Sequence, residues 1–505
     1  MRERRRQREI REEQQEKQRK RKKHPWLWVM GFIFLLLILA AGGYAAYDKV
    51  MDSRTMGCRV SVFGQNVSWL TVDEAAQKIS NAFADTKVEF TENGKTVSDK
   101  TLEELGVSVN MEKLTERLAQ LKEKQEPCKL FLEEMKNYTL DYEVVTDDVS
   151  GKTAAAAVKA EAGGSRTESK DAYIEYDEAA GQYKIVPDEL GTQIDEERLL
   201  KEMQKEIQAA LQEELLHKKI TVEITDESYQ RAAVTKEQEA LVSELNTLNG
   251  RLQGYLDATV TYTFGDVTEV VDSDTIRSWL VIDGKEISLN EDLMWEYIEN
   301  LSARYNTMYV PRILETSDGE TVEISNNEYG YWIDEEGEFA QLKADLEGGV
   351  PVTREPVYSQ RGIGRNGVDD LVNGYVEISL AKQHLWFYKN GELITETDVV
   401  TGKPDGGVNK KTGEKESWAT YQGAYPLAYK ERNAVLSSDI YGYETPVDYW
   451  MPFVYGQGLH DADWQTSFGG DRYLTDGSHG CVNLPQSQAA VIFENIEEGC
   501  PILIY

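Results

Sequence analysis

A short stretch near the C-terminal end of the sequence contains the residue types of a cysteine-nucleophile site. His460 and Asp461 precede a glycine-containing loop, which leads into the run Ser478-His479-Gly480-Cys481-Val482-Asn483. A cysteine attacks as the thiolate, and a neighbouring imidazole lowers the pKa of the thiol or takes its proton. We therefore predict that Cys481 is the nucleophile and that His460 is its general base. Asp461 would orient or charge-stabilise an imidazole, as the third member of a triad does.

The residues around the cysteine suggest further roles. Gly480 lets the backbone bend and pass close to a substrate, and the N–H groups of Gly480 and Cys481 are candidates for binding an oxyanion. We predict that His479 and Ser478 shape the site. His479 and Gly480 are assigned to the catalytic group. The residues assigned to substrate binding are Ser478, Asn483 and Tyr455.

Two alternatives stay open on residue types alone. One is a metal site, because His and Cys both bind zinc. A structural zinc site usually has four ligands in paired short spacings, however, and the sequence contains no C-x-x-C. We therefore predict neither a metal nor a cofactor. The other alternative is a buried, inert cysteine, which is the commonest state of a free Cys.

The pattern of a histidine, a spacer and Ser-His-Gly-Cys-x-Asn resembles the L,D-transpeptidase (YkuD) catalytic domain of bacterial cell walls. Residues 375–391 resemble the opening β-hairpin of that family. Residues 399–404 and 412–413 resemble its next strand and loop, and residues 501–505 its closing strand. The resemblance covers residues 374–505, about a quarter of the chain. Asn483 stands where many relatives carry Arg, and the Asn form also occurs in the family.

The resemblance implies an activity. The thiolate would attack a peptidoglycan tetrapeptide stem between its third residue, a diamino acid, and the fourth, D-Ala. The side-chain amine of a third residue on a neighbouring stem would then resolve the thioester, which gives a 3→3 cross-link. The resemblance also implies that carbapenems acylate the cysteine. In several relatives a backbone carbonyl, instead of a carboxylate, orients the imidazole. With water as acceptor the protein would be an L,D-carboxypeptidase, and with an idle site it would be a wall-binding tether. A cysteine protease of ordinary proteins is disfavoured, because no signature of that class surrounds Cys481.

Composition indicates several domains with an acidic surface. The chain has 505 residues, too many for one core, and a formal net charge of −34. Residues 1–25 carry a net charge of +7, which leaves −41 on the rest. An acidic body argues against binding of nucleic acid. Four cysteines are too few for a disulfide framework, although Cys58 and Cys128 could pair, and Cys500 is predicted to be a small core residue.

The N-terminal region predicts a membrane anchor. A basic arm, 1–25, precedes the uncharged run 26–47, which is about long enough to cross a bilayer as a helix. The positive-inside rule places the arm in the cytoplasm and the catalytic domain outside the cell, with the cytoplasmic membrane as a partner. A cleaved signal peptide is the alternative, since Ala40-Ala41-Gly42 offers small residues to a peptidase.

Between the anchor and the catalytic domain, the sequence repeats weakly. The three related segments are 104–114, 189–199 and 328–338, each with a turn glycine, a β-branched residue and an Asn or Asp that would cap a helix. We predict small α+β modules at 58–130, 131–230 and 231–350, and a linker or extended strap at 351–373. The last two modules resemble a peptidoglycan-binding domain often found before YkuD domains, through residues 287–307, 317–319 and 329–334. A spacer without affinity is the alternative, and Tyr329, Tyr331 and Trp332 would either stack on sugars or pack in the core.

The sequence therefore predicts a multidomain chain with an N-terminal transmembrane helix, α+β modules and a C-terminal, mainly-β sandwich similar to YkuD. The expected partners are peptidoglycan stem peptides and glycan. The oligomeric state stays open.

Overall fold

The computed structural model describes residues 2–19, 25–51, 54–125 and 134–505. The chain forms two compact units. The first contains Met1–Tyr173 and Val186–Lys236, and the second contains Ile174–Ile185 and Glu237–Tyr505. The possible pairing of Cys58 with Cys128 involves a residue outside the described ranges.

Two helices begin the chain, α1 (Arg2–Arg19) and α2 (Pro25–Met51). Within α2, Trp26–Ala45 has a mean hydropathy of 2.2 and is not buried. A helix of this length and composition can cross a bilayer, because twenty residues at 1.5 Å each span about 30 Å of hydrocarbon.

Residues 54–125 and 134–236 form a mixed α+β structure. Its helices are α3 (Val72–Ala84), α4 (Met111–Glu123), α5 (Asp148–Ala162) and α6 (Glu196–Glu213). Its strands are β1 (Val60–Val62), β2 (Gln65–Asn66), β3 (Lys87–Glu92), β4 (Lys95–Thr101), β5 (Val107–Val109), β6 (Lys136–Tyr138), β7 (Val144–Thr146), β8 (Tyr173–Asp177), β9 (Gln182–Val186) and β10 (Lys219–Glu223). The strand orders are β2-β1-β6, β10-β3-β4, β5-β7 and β8-β9.

Residues 58–130 and 131–230, which we predicted as two modules, share one hydrophobic core. They also share one sheet, because β10 pairs in parallel with β3 while β4 pairs antiparallel on its other side. A strand from the second predicted module thus completes the sheet of the first. The two segments form one module rather than two.

The second unit includes nearly all of the β8–β9 hairpin, through Ile174–Ile185. From Glu237 onward it begins with a similar arrangement. Its helices are α7 (Glu239–Asp257), α8 (Ser273–Trp279), α9 (Glu291–Tyr305) and α10 (Glu335–Gly348). Its strands are β11 (Val260–Phe264), β12 (Val267–Val271), β13 (Leu280–Asp283), β14 (Glu286–Leu289), β15 (Arg312–Glu315), β16 (Thr321–Ile324), β17 (Trp332–Ile333), β18 (Val352–Arg354) and β19 (Tyr358–Gln360). The order β12-β11-β18, with β11 and β18 parallel, matches the order β4-β3-β10 of the first unit.

The three predicted helix caps are confirmed. The side chains of Asn110, Asp195 and Asp334 accept hydrogen bonds from backbone N–H groups in the first turns of α4, α6 and α10. Each cap satisfies donors that the helix itself leaves unpaired, which stabilises the helix by about 1 kcal/mol.

A buried ion pair connects α10 to the strand that follows it. The Glu338 carboxylate, whose side chain is fully buried, accepts two hydrogen bonds from Arg354, at 2.7 and 2.9 Å. It also accepts one from the hydroxyl of Tyr262 at 2.5 Å and one from the backbone N–H of Val357 at 2.7 Å. With these four donors the buried charge is compensated.

Residues 351–373 form an extended strap rather than a loose linker. Strands β18 and β19 pair with β11 and β17. Further along the strap, the buried Asp370 accepts two hydrogen bonds from Arg312, at 2.6 and 2.7 Å. The strap is therefore held along its length by the module that precedes it.

The C-terminal part of the chain is rich in strands. These are β20 (Gly374–Ser379), β21 (His384–Lys389), β22 (Glu392–Asp398), β23 (Gly407–Val408), β24 (Lys415–Glu416), β25 (Gly423–Pro426), β26 (Glu431–Ser438), β27 (Tyr443–Val454), β28 (Gln457–Asp461), β29 (Val482–Leu484) and β30 (Pro501–Ile504). Its helices are α11 (Arg472–Asp476) and α12 (Gln486–Asn495). A five-stranded sheet, β22-β21-β20-β30-β25, and a four-stranded sheet, β26-β27-β28-β29, contribute to one core that includes Val376, Met451, Leu459, Val482 and Ile502. This confirms the predicted multidomain fold with a mainly-β C-terminal domain.

Candidate active site

Two parallel strands bring the predicted nucleophile and base to one face of the four-stranded sheet. β28 and β29 pair with Leu459 opposite Val482 and with His460 opposite Asn483. Side chains alternate between the faces of a strand, so Cys481, two positions before Asn483, extends to the same face as His460. Both residues line a cavity of about 450 Å³. The predicted site residues among its lining are His460, Ser478, His479, Cys481 and Asn483.

The loop that presents Cys481 depends on Gly480. This glycine has φ +123°, and a Cβ there would collide with the side chain of Gln457. Gln457 cannot readily move away, because its carboxamide accepts from the N–H of Tyr421 at 2.9 Å and donates to the carbonyl of Ala419 at 3.2 Å. Only glycine fits this position without strain. The backbone conformation before Cys481 therefore requires glycine at position 480.

Ser478 holds the same loop from inside. Its hydroxyl donates to the carbonyl of Cys481 at 2.5 Å and accepts from the N–H of Gly480 at 3.0 Å. Two expectations change as a result. The hydroxyl of Ser478, assigned to substrate binding, is engaged in shaping the loop. The N–H of Gly480, a candidate oxyanion donor, already has an acceptor.

His460 is buried, with 3% of its surface exposed, and it is oriented by the main chain. Its Nδ1 lies 2.8 Å from the backbone carbonyl oxygen of Asp461 and donates its proton there. This hydrogen bond selects the tautomer in which Nε2 carries the lone pair. The imidazole is therefore set up to accept a proton at Nε2.

Of the two roles predicted for the Asp461 side chain, orientation of the imidazole is contradicted and an effect through its charge is not. The carboxylate does not orient the imidazole; it accepts a hydrogen bond from the N–H of Tyr449 at 2.8 Å. The physical reason is that neighbouring residues of a strand point to opposite faces. The carboxylate affects His460 through its charge, which raises the pKa of the imidazole and so opposes the effect of burial.

Burial sets the protonation of both reactive groups. It raises the pKa of the Cys481 thiol to about 11, with a smaller opposing effect from the Gly458 backbone. Burial also lowers the pKa of His460, with smaller opposing effects from the carbonyl and the charge of Asp461. Both shifts favour the neutral forms. We therefore predict that Cys481 is mainly a thiol and His460 mainly a neutral imidazole near pH 7.

Aromatic rings that sequence reasoning missed surround His479. The centroids of Trp418, Tyr441 and Tyr443 lie 4.0, 4.9 and 4.8 Å from the centroid of its ring. Burial lowers the pKa of His479, so this imidazole is neutral as well. His479 forms part of an aromatic wall. The cluster of aromatic residues between 441 and 450 was the signal that could have revealed this wall.

Tyr455 lies outside the cavity lining. It sits at the turn between β27 and β28 with φ +42°, it is 80% exposed, and its ring is 6.0 Å from that of Tyr421. The turn nevertheless reaches Cys481, since the carbonyl oxygen of Gly456 is 4.0 Å from its Sγ. Substrate binding by Tyr455 stays a prediction.

Asn483 is buried in the cavity wall, and its carboxamide oxygen Oδ1 has no hydrogen-bond partner in the described part of the chain. A buried acceptor without a partner is unfavourable unless something else supplies a donor.

Cys481 and Cys500 are free thiols, and Cys500 is a core residue, as predicted.

Comparison with known proteins identifies the family. Residues 373–504 match the family model described as "L,D-transpeptidase catalytic domain", YkuD. The chain is 31% identical to a mutant of the L,D-transpeptidase of Enterococcus faecium, covering 52% of this chain and 100% of that one, with a TM-score of 0.43. This chain belongs to the L,D-transpeptidase family.

Two further comparisons concern parts of the chain. Residues 242–353 match the family model described as "Putative peptidoglycan binding domain". The catalytic domain of an E. faecium L,D-transpeptidase acylated by ertapenem is 40% identical, covering 26% of this L,D-transpeptidase and 97% of that domain, with a TM-score of 0.23. No curated protein matches the chain.

Proposed function

We propose that this L,D-transpeptidase joins peptidoglycan stem peptides through a thioester on Cys481 and forms 3→3 cross-links. The observation that supports this most is that His460 and Cys481 line the same cavity. The Nδ1 proton of His460 is committed to a backbone carbonyl, and the imidazole shares one strand face with Cys481. A neutral imidazole with its Nε2 lone pair available is a competent general base.

The first half-reaction transfers the donor stem. His460 takes the thiol proton as Sγ attacks the carbonyl carbon of the third stem residue. The new S–C bond forms, and the N–H of Cys481 stabilises the oxyanion. The C–N bond to D-Ala then breaks, and the imidazolium returns its proton to the departing amine. The products are a thioester and free D-Ala.

The second half-reaction reverses these proton movements. The side-chain amine of the diamino acid on a neighbouring stem attacks the thioester and loses a proton to His460. The S–C bond breaks, the new amide bond forms, and the proton returns to the cysteine sulfur. Because both groups rest in their neutral forms, the enzyme ends the cycle ready for the next donor.

Other cavity residues supply binding rather than proton transfer. The unpartnered Oδ1 of Asn483 accepts an N–H group of the donor stem. His479 and Tyr443, which line the cavity, pack against the apolar part of the stem and limit the access of water, and Trp418 supports His479 from behind. Exclusion of water favours an amine acceptor, and therefore transpeptidation over hydrolysis.

We further propose that α2 anchors the enzyme in the cytoplasmic membrane, with the basic arm in the cytoplasm and the catalytic domain outside the cell. The exposed, apolar segment Trp26–Ala45 supports an anchor, and the +7 charge of residues 1–25 supports this orientation. The full-length protein should stay with membranes after an alkaline wash. Its release at full length would disprove the anchor.

The test of the chemistry uses disaccharide-tetrapeptide as both donor and acceptor. The wild-type enzyme should release D-Ala and form dimers whose mass and fragmentation show a 3→3 bond. Cys481→Ala should form none, and it should fail to gain the mass of ertapenem. Dimers formed equally well by Cys481→Ala would disprove the mechanism, whereas tripeptide without dimer would identify a carboxypeptidase. A wild-type enzyme with no product and no adduct would be a tether.

A further inference from the structure

An exposed pair of aromatic rings marks the surface of the module at residues 242–353. Tyr309 is 60% exposed and Trp332 is 39% exposed. Their ring centroids are 5.6 Å apart at an interplanar angle of 69°. The neighbouring aromatics Tyr329 and Tyr331 are buried, so of the three that we expected to stack or pack, only Trp332 presents a ring to solvent.

The internal repeat shows that the fold does not require a tryptophan at this position. The segments 104–110, 189–195 and 328–334 align from the Glu through the turn glycine to the cap residue. The position of Trp332 corresponds to Ser108 and Gln193 in the other two copies. Strand alternation places it outward, between the buried Tyr331 and Ile333. The repeat is thus polar at this outward position, except in the copy that carries the aromatic pair.

Tyr309 is held rigidly in a conformation that disfavours a bulky residue. Its φ is +60°, in the left-handed region. The buried side chain of Asn327 fixes the surrounding loop, because its Nδ2 donates to the carbonyls of Thr307 and Val310 at 2.6 and 2.9 Å. The N–H of Tyr309 itself donates to the carbonyl of Asn327 at 2.8 Å. Backbone strain retained at an exposed aromatic residue indicates a function for that side chain.

The negative charge of the protein argues against stem peptides as the ligand of this module. A chain with a net charge of −34 repels the carboxylates of stem peptides, so the module gains little from electrostatic attraction to them. The exposed faces of sugar rings are apolar and uncharged, and they pack well on Tyr and Trp. Two rings at an angle, fixed by the fold, form a platform for such stacking.

We propose that Tyr309 and Trp332 form a glycan-binding platform, which stacks on the sugar rings of the peptidoglycan strand. The assignment rests on the proposed function in taking peptidoglycan as the ligand. It adds the part of the polymer that is recognised and the two residues that recognise it. The platform would hold the enzyme on the glycan while the catalytic domain acts on the stems.

The test measures binding of the full-length protein, in detergent micelles, to glycan strands freed of stem peptides by an amidase. The buffer contains about 0.5 M salt, which screens the lactyl carboxylates that the amidase leaves on the glycan. All variants carry Cys481→Ala, so that turnover does not contribute. Trp332→Gln installs the residue of the second repeat copy, and Tyr309→Asn keeps a residue that tolerates positive φ. Each should weaken binding about tenfold, and Trp332→Tyr should retain most of it. Tyr429→Ser removes a similarly exposed tyrosine, 45% exposed, from the catalytic domain and should leave binding unchanged.

The thermal unfolding transition of each variant shows whether the variant is folded. If Trp332→Gln shows no such transition, the proposal is tested with Tyr309→Asn alone. Peptide-free glycan bound equally by the parent and by the folded Trp332→Gln and Tyr309→Asn variants would overturn the proposal. Binding of the parent only to intact sacculi, with displacement by soluble stem peptides, would overturn it in favour of peptide recognition. Because the Cys481→Ala background carries no reaction, these outcomes are independent of whether the wild-type enzyme forms cross-links.

Discussion

Removal of the general base should reveal how little thiolate the site holds at rest. With the pKa of Cys481 at about 11, the fraction of thiolate near pH 7 is on the order of 10⁻⁴. The variant His460→Gln keeps a polar side chain in the cavity but cannot take the thiol proton. Its acylation should therefore depend on that small fraction, and the rate near pH 7 should fall by about 10³ to 10⁴.

The dependence on pH separates this mechanism from a resting ion pair. In the variant the acylation rate should rise about tenfold per pH unit towards the pKa of the thiol, because each unit raises the thiolate fraction tenfold. In the wild-type enzyme the rate should be flat in the same range. It should decline only on the acid side of the ordinary histidine pKa, because burial lowers the pKa of His460 and protonation removes the base.

The assay follows the mass of the ertapenem adduct over time at a series of pH values. His384→Gln is the matched control, since His384 is a histidine of the same domain that bonds to Asp398 at the surface. Its profile should equal that of the wild-type enzyme. Either of two results would refute this reasoning. One is an ultraviolet thiolate band in the wild-type enzyme at neutral pH that is absent from Cys481→Ala. The other is an acylation rate of His460→Gln that does not change with pH.

Three other substitutions give distinct outcomes. Asp461→Asn should lower kcat less than tenfold, because a backbone carbonyl orients the imidazole. A loss of kcat near 10⁴-fold, as in a triad that depends on its carboxylate, would show that the Asp461 carboxylate orients His460 after all. Gly480→Ala should lower the acylation rate at least about 100-fold, because the added Cβ collides with Gln457. Gly391→Ala, at an open turn, is the control and should not lower this rate. Equal acylation rates for the wild-type enzyme and Gly480→Ala would show that the loop adapts to the added Cβ. Glu338→Ala leaves Arg354 buried without its partner and should cost about 3–5 kcal/mol in denaturant unfolding, whereas loss below about 1 kcal/mol would mean that water replaces the carboxylate.

The sequence allowed prediction of those features that are formed by residues close together in the chain. His460 lies in β28 and Cys481 immediately precedes the adjacent strand β29, so both belong to one short, dense motif. The helix caps were found for the same reason, since a cap and its helix are contiguous. The orientation of Asp461 could also have been predicted, because consecutive strand residues cannot share a face.

Features that depend on distant segments were not predicted. Trp418 reaches His479 from a loop about sixty residues away, which no local pattern records. The first module was divided in two because its sheet is completed by β10, which follows β3 only after three helices have intervened. Tyr309 was not linked to Trp332 because the two rings meet through tertiary folding alone.

The position of β30 makes completion of the catalytic sheet a late event. This strand lies between β20, with which it is parallel, and β25, with which it is antiparallel, yet it follows every other strand of the domain in the chain. A nascent chain that stops short of Pro501 therefore carries His460 and Cys481 but leaves the facing edges of β20 and β25 unpaired. The sheet that supports the site is complete only when the last strand has been added, so enzymatic competence is expected only after synthesis has passed Ile504.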